Sequence, residues 1–266
     1  MREETVTSLS KFIDIIKELG DEGFSFYRGQ DSYMKQKLLP SLLRLDYETG
    51  ERRIFSNKCD QTFINTFKSK GISHLDILPE NDWEWMSTAQ HFSLPTRLLD
   101  WSQSPLSALF FAVENERYKY KEEIEDSPVV WCLNPNALNE KSRFIEDYNI
   151  IPNIIEKNET FHSNLKQKFG VGVTLTEVIP PVALICPSSN NRINAQRGVF
   201  TLFPLNAVPL EESEFADEIL FKLKIDRNLK EGIKKQLFSI GVSYSSIYPE
   251  LEYISKDIKS EYLMNS

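Results

Sequence analysis

Apolar positions change period several times along the chain, and each change marks an element. Phe12, Ile13, Ile15, Ile16 and Leu19 recur at three- and four-residue steps behind the cap-forming residues of 5–10, which predicts an amphipathic helix. Gly20 and Gly23 end it. Residues 24–29 then alternate with a two-residue period, the mark of a short strand. Residues 38–44 are apolar, but Pro40 interrupts regular structure there. Helical spacing returns over 51–67 and over roughly 82–92, which carries Trp83, Trp85 and Met86. The clearest helix covers 104–116, with Pro105 suited to its first turn. Strand patterns follow at 128–133, 173–178, 182–186, 198–203 and 219–225. The Pro180-Pro181 pair confines its neighbouring strand to an edge or a break. Residues 117–126 read as a charged loop or helix extension, 137–168 as partly helical, and 228–240 and 248–264 as helices.

Helices at both ends and strands between them predict an α+β fold: one domain, a central mostly antiparallel sheet and flanking terminal helices. Its parts are a helical segment 1–23, a motif-bearing core 24–205 and a strand with helices over 206–266. The 266 residues include 17 Phe, 10 Tyr and 4 Trp, enough aromatic surface for a sizeable core. With 31 Lys+Arg against 39 Asp+Glu the net charge is −8. That balance disfavours broad nucleic-acid coating, although a local basic groove stays open. Cys59, Cys132 and Cys186 are far apart with no CxxC pair, as expected of reduced thiols in a cytoplasmic protein. Residues 1–12 lack a signal peptide's apolar stretch, and no apolar run reaches the roughly 18 residues of a membrane helix, so no membrane association is expected.

Three polar clusters carry candidate chemistry. Tyr27-Arg28-Gly29-Gln30 sets a guanidinium fork beside a glycine at a strand end; glycine permits close backbone approach and arginine suits phosphates or ribose hydroxyls. The same four residues also read as an ordinary turn. Residues 89–112 hold Gln90, His91, Thr96, Arg97, Asp100, Trp101, Ser102 and Ser104 ahead of a helix start, where free N–H groups favour an anion. Arg97 and Asp100 bracket two leucines as an ion pair would, and the bland alternative is a buried pair fixing a turn with Ser104 as helix cap. Arg192, Gln196 and Arg197 lead into a strand, either as ligand contacts or as a basic turn. Histidines 74, 91 and 162 share no ligand spacing with each other or with the cysteines, so no metal is expected. Neither a phosphate-binding glycine loop nor a nucleophile elbow or metalloprotease motif is present.

Taken in order, these clusters resemble the FRG domain, a bacterial module. The matching residues are Phe26-Tyr-Arg-Gly-Gln30, Ala89-Gln-His91, Leu94-Pro-Thr-Arg-Leu-Leu-Asp-Trp101, Ser104-Pro-Leu106, Ala108-Leu-Phe-Phe-Ala112 and the RxxxQxGxF segment from Arg192 to Phe200. The arrangement also looks like a remote version of the ADP-ribosyltransferase plan. That resemblance implies NAD as substrate, with Arg28 on the ribose and phosphates and Gly29 on the nicotinamide carboxamide. Thr96, Ser102 and Ser104 compete for the middle serine or threonine element. Gln196 takes the place of the late glutamate, leaving Asp100 to stabilise the sugar cation, or else the site only binds.

The candidate catalytic residues are therefore Arg28, His91, Asp100 and Gln196; the candidate substrate contacts are Tyr27, Gly29, Gln30, Thr96, Arg97, Trp101, Ser104 and Arg192. The functions implied are an NAD-using enzyme in a defence or toxin setting; a noncatalytic recognition module of an anti-phage or toxin–antitoxin system, working through exposed Tyr118, Tyr120, Tyr244, Tyr248 and Tyr253; and, third, a nuclease built on His91, Arg97 and Asp100. The expected partners are a nucleotide-type small molecule and a protein encoded nearby, with nucleic acid disfavoured.

Overall fold

The computed structural model describes residues 1–31, 37–44, 55–56, 58–114, 127–143, 150–154, 159–186 and 191–264. In chain order the elements are β1 (Arg2–Val6), α1 (Leu9–Asp21), β2 (Phe26–Gln30), α2 (Lys58–Gly71), α3 (Asp82–His91), β3 (Leu98–Ser102), α4 (Pro105–Val113), β4 (Val129–Leu133) and α5 (Pro135–Ser142). There follow α6 (Glu159–Phe169), β5 (Val182–Leu184), α7 (Asn191–Gln196), β6 (Gly198–Leu202), α8 (Ala216–Ile219), β7 (Leu220–Ile225), α9 (Lys230–Ser239), α10 (Tyr244–Ile247) and α11 (Leu251–Met264). The described strands form one seven-stranded sheet in the order β1-β7-β4-β2-β3-β6-β5. Every neighbouring pair is antiparallel except β1 with β7. The α+β reading with a mostly antiparallel sheet therefore holds.

Three apolar clusters hold the sheet and its helices together. One packs α1, α4, α9 and α10 against the β2, β4 and β7 region through Phe12, Leu109, Phe110, Leu223 and Tyr244. A second joins Leu38, Leu42 and Leu43 to Trp101, Trp131 and Phe203. The third joins α2, α3 and α6 to the β3, β5 and β6 half through Ile64, Trp85, Leu165 and Leu202. Cys132 and Cys186 are buried among these residues, as core thiols are.

Two local expectations are corrected. The segment 1–23 is not wholly helical, because Arg2–Val6 forms an edge strand parallel to β7. Its outward positions are charged, and Glu3 holds Lys222 and Lys224 across the strand pair at 2.7 and 2.6 Å; a hydrophobic period cannot reveal a strand secured in this way. Residues 173–178 are not a strand either. The alternating segment instead follows a turn at 171–172, where Gly172 sits at φ +77°. Elsewhere the pattern reads well. Ser8 caps α1, accepting from the Lys11 N–H at 3.0 Å. Strand β5 lies at the sheet edge directly after Pro180-Pro181. The expected charged segment 117–126 and the start of the helix expected over 51–67 lie outside the described residues.

Candidate functional site

Strand β2 lies at the centre of the sheet, yet it treats its two neighbours differently. Against β4 it pairs along its whole length, from Phe26 with Leu133 to Gln30 with Val129. Against β3 it makes one pair, Tyr27 with Ser102, and then the two strands part. A polar cleft of about 390 Å³ opens beside this divergence, lined by β2, α3, β3, α7 and the C-terminal end of α4. Arg28 bridges the gap. Its guanidinium donates to the Asp100 backbone carbonyl at 2.6 Å, satisfying an acceptor that a continued ladder would have used. The Arg28 Nε is buried and meets no acceptor among the described residues. Burial brings the Arg28 guanidinium down to about 10, with Asp100 opposing the shift and Arg44 adding to it.

Asp100 is exposed to the cleft while its neighbours in β3 are buried. The Gln90 side-chain amide donates to its carboxylate at 2.6 Å, and the Gln90 carbonyl in turn accepts from the Thr96 hydroxyl. Thr96 is itself buried and does not line the cleft; it fixes the Gln90 amide so that its N–H groups face Asp100. Trp101 turns inward, donating from its indole to Thr201 at 3.0 Å, and forms part of the cleft wall. Gln30 also lines the wall, and its carbonyl accepts from the Trp131 indole at 2.8 Å.

The opposite wall comes from α7, which the C-terminal helices back. Gln196 faces the cleft, with its amide donating to the Ile247 carbonyl at 3.2 Å. Ser102 donates to the Gln196 backbone carbonyl at 2.6 Å, tying β3 to α7. Arg192 stacks over the Tyr248 ring, 4.7 Å from its centroid. His91 completes this side; burial lowers its pKa, the Arg192 charge lowers it further, and Glu250 opposes both. Glu114, which no sequence motif singled out, also lines the cleft and accepts from the Tyr248 hydroxyl at 3.0 and 3.3 Å. Burial is the chief reason its carboxyl is held above the ordinary glutamate range. A carboxylate capping the C-terminal end of an apolar helix opposes the helix dipole, and that was the available signal.

Of the sequence candidates, the cleft gathers Tyr27, Arg28, Gly29, Gln30, His91, Asp100, Trp101, Arg192 and Gln196, and leaves out Thr96, Arg97 and Ser104. The expected Arg97–Asp100 ion pair is corrected. Arg97 is 0% exposed and pairs with buried Asp60 at 3.1 Å, while its other nitrogens donate to the carbonyls of Phe203, Phe169 and Gly170. Leu98 and Leu99 reverse direction between 97 and 100, so alternation along β3 sends Arg97 and Asp100 to different surroundings. Ser104 is the cap of α4, accepting from the Ser107 N–H at 3.2 Å. Gly29 lines the cleft, but its lack of a side chain serves packing: a Cβ there would lie 1.8 Å from the Ala108 carbonyl oxygen of α4.

The tyrosines expected as an exposed working surface are placed differently. Tyr244 and Tyr248 are buried, 2% and 8% exposed, and Tyr253 stacks on Tyr248. Tyr118 and Tyr120 lie outside the described residues. Among the described residues no helix is long and apolar enough to cross a membrane.

A family model described as the FRG domain matches residues 24–121, from just before β2 to beyond α4. The comparisons with curated proteins and with solved structures gave no match.

Proposed function

Because the chain carries an FRG domain over residues 24–121, we propose that the cleft beside β2 and β3 takes a nucleotide-type small molecule, with NAD as the leading substrate, and acts on its N-glycosidic bond by transfer or hydrolysis. The observation carrying this reading is the Arg28 guanidinium: it is held by a bond to the Asp100 carbonyl and retains a buried Nε with no acceptor among the described residues. A buried donor without a partner costs about 1–3 kcal/mol, which an anionic or hydroxyl-bearing ligand would recover.

The remaining groups fit the same ligand class. Arg192 gives the opposite wall a second cation for a phosphate. The Asp100 carboxylate, aimed by Gln90, is a negative group placed to steady an oxocarbenium-like sugar. Gln196 has one amide N–H bound to Ile247, which leaves its side-chain carbonyl as an acceptor for a ribose hydroxyl. No step is assigned to Arg97, which also removes one of the three residues on which the nuclease reading stood.

Incubation with NAD followed by chromatography for nicotinamide tests this function, alongside a thermal-shift titration with NAD and ADP-ribose. Nicotinamide release by the wild type, lost in Arg28→Ala, is the expected result. Neither turnover nor a thermal shift would leave the noncatalytic module, in bacterial defence or a toxin–antitoxin pair, as the better reading. That second reading draws on one observation: the Arg97–Asp60 network lies within the matched motif, yet serves the scaffold alone.

A further inference from the structure

Glu114 follows the last turn of α4, where the helix runs out beneath the cleft. Its carboxyl is approached from four elements. Tyr248, at the end of α10, donates its hydroxyl to both carboxyl oxygens, and Tyr244 of the same helix reaches the Glu114 backbone carbonyl at 3.4 Å. Lys256 of α11 and Arg192 of α7 are the cations that act on it, and Asp31, just past β2, is the opposing anion. The Tyr248 ring is held by the stacked Tyr253 ring at 4.3 Å and by the Arg192 guanidinium at 4.7 Å, so the hydroxyl that holds Glu114 has little freedom to swing away.

Resting on the NAD reading, we infer that Glu114 is the general base of the cleft, aligned by Tyr248, and that it takes the proton of the water or acceptor hydroxyl that attacks the ribose. In the hydrolytic case the water oxygen forms a bond to ribose C1′ while the C1′–N bond to the pyridinium breaks. The electron pair of that bond passes to the ring nitrogen, so nicotinamide leaves neutral, and the proton from water goes to the Glu114 carboxylate. Asp100 is a separate carboxylate on a different strand, which leaves one group to steady the sugar and another to accept the proton.

Two facts set the sign of the pH dependence. Burial favours the neutral carboxyl of Glu114, so the base form is filled as pH rises through a value above the ordinary glutamate range. The Tyr248 hydroxyl stabilises the carboxylate and partly offsets that burial. Tyr248 itself is pushed far up by burial and by Glu114, so it remains a donor throughout.

The test is the pH profile of nicotinamide release from NAD by wild type, Glu114→Gln and Tyr248→Phe, with NAD binding followed by thermal shift. Wild type is expected to lose activity on the acid side. Glu114→Gln should release nicotinamide roughly 100-fold more slowly or less while still binding NAD. Tyr248→Phe, which keeps the ring stack, should move the acid limb to higher pH. An unchanged profile in both variants, with the wild type active, overturns the assignment of Glu114 and leaves the NAD reading standing. A wild type that binds NAD or not but releases no nicotinamide at any pH overturns both.

Discussion

The Arg28 guanidinium reaches 2.6 Å from the Asp100 backbone carbonyl across two strands that pair at one residue only. A side chain thus replaces a stretch of missing ladder in the centre of a sheet. The opening so created lies between two well-buried halves and is not a surface accident. Removing Arg28 should therefore cost ligand binding far more than folding. Arg28→Ala is expected to keep its cooperative melt and to lose the thermal shift given by NAD or ADP-ribose.

Arg97 should behave in the opposite way. Its guanidinium is buried against Asp60 and three backbone carbonyls, so truncation strands a carboxylate in the core. Breaking a buried pair from one side costs about 3–5 kcal/mol. Arg97→Ala and Asp60→Ala are each expected to lower the urea midpoint by a corresponding amount or to fail to fold, whatever happens at the cleft.

Gly29 gives a second stability test inside the motif. A methyl group there would overlap the Ala108 carbonyl oxygen, and α4 would have to move off β2. Gly29→Ala is expected to destabilise by about 1–3 kcal/mol in chemical denaturation. A variant of undiminished stability but impaired binding would instead assign this glycine to ligand approach.

The Thr96–Gln90–Asp100 chain predicts a functional loss beyond the modest stability cost of unpairing the Leu98 N–H, which also donates to the Thr96 hydroxyl. Thr96→Val is close in shape but lacks the hydroxyl that fixes the Gln90 amide. Circular dichroism should be unchanged, while nicotinamide release falls because the Asp100 carboxylate is no longer held in one orientation. Equal activity in Thr96→Val and wild type would remove this chain from the mechanism.

Acid stability tests the edge strand. Lys222 and Lys224 hold the Glu3 carboxyl at about 2, against an ordinary value of 4.5. A folded-state value depressed in this way adds stability above the ordinary value and loses it as pH falls toward 2. Glu3→Gln should therefore show a shallower decline in stability between pH 4.5 and 2 than the wild type. Parallel curves over that window would mean that the ion pairs contribute nothing measurable, the usual fate of exposed pairs.

The sequence made the sheet class, the strong helix behind Ser104 and most of the cleft residues legible, because each rests on local pattern or on motif residues close together in the chain. Ser104 shows the limit of that method: its spacing fitted an anion site and a helix cap equally, and only the bond to Ser107 decides between them. The partner of Arg97 is not legible in the sequence, because Asp60 lies 37 residues away on α2 and no periodicity connects the two. Glu114 is not legible in the sequence, since one acidic residue at the end of an apolar run looks like ordinary helix punctuation. Its importance comes from Tyr248, which the fold brings in from 134 residues downstream.

The most direct measurement is a crystal structure of the protein with ADP-ribose. The expected result is ligand in the cleft with a phosphate or ribose hydroxyl on the Arg28 guanidinium and the sugar facing Asp100. An empty cleft at saturating ADP-ribose, or ligand bound elsewhere with Arg28 untouched, would contradict it.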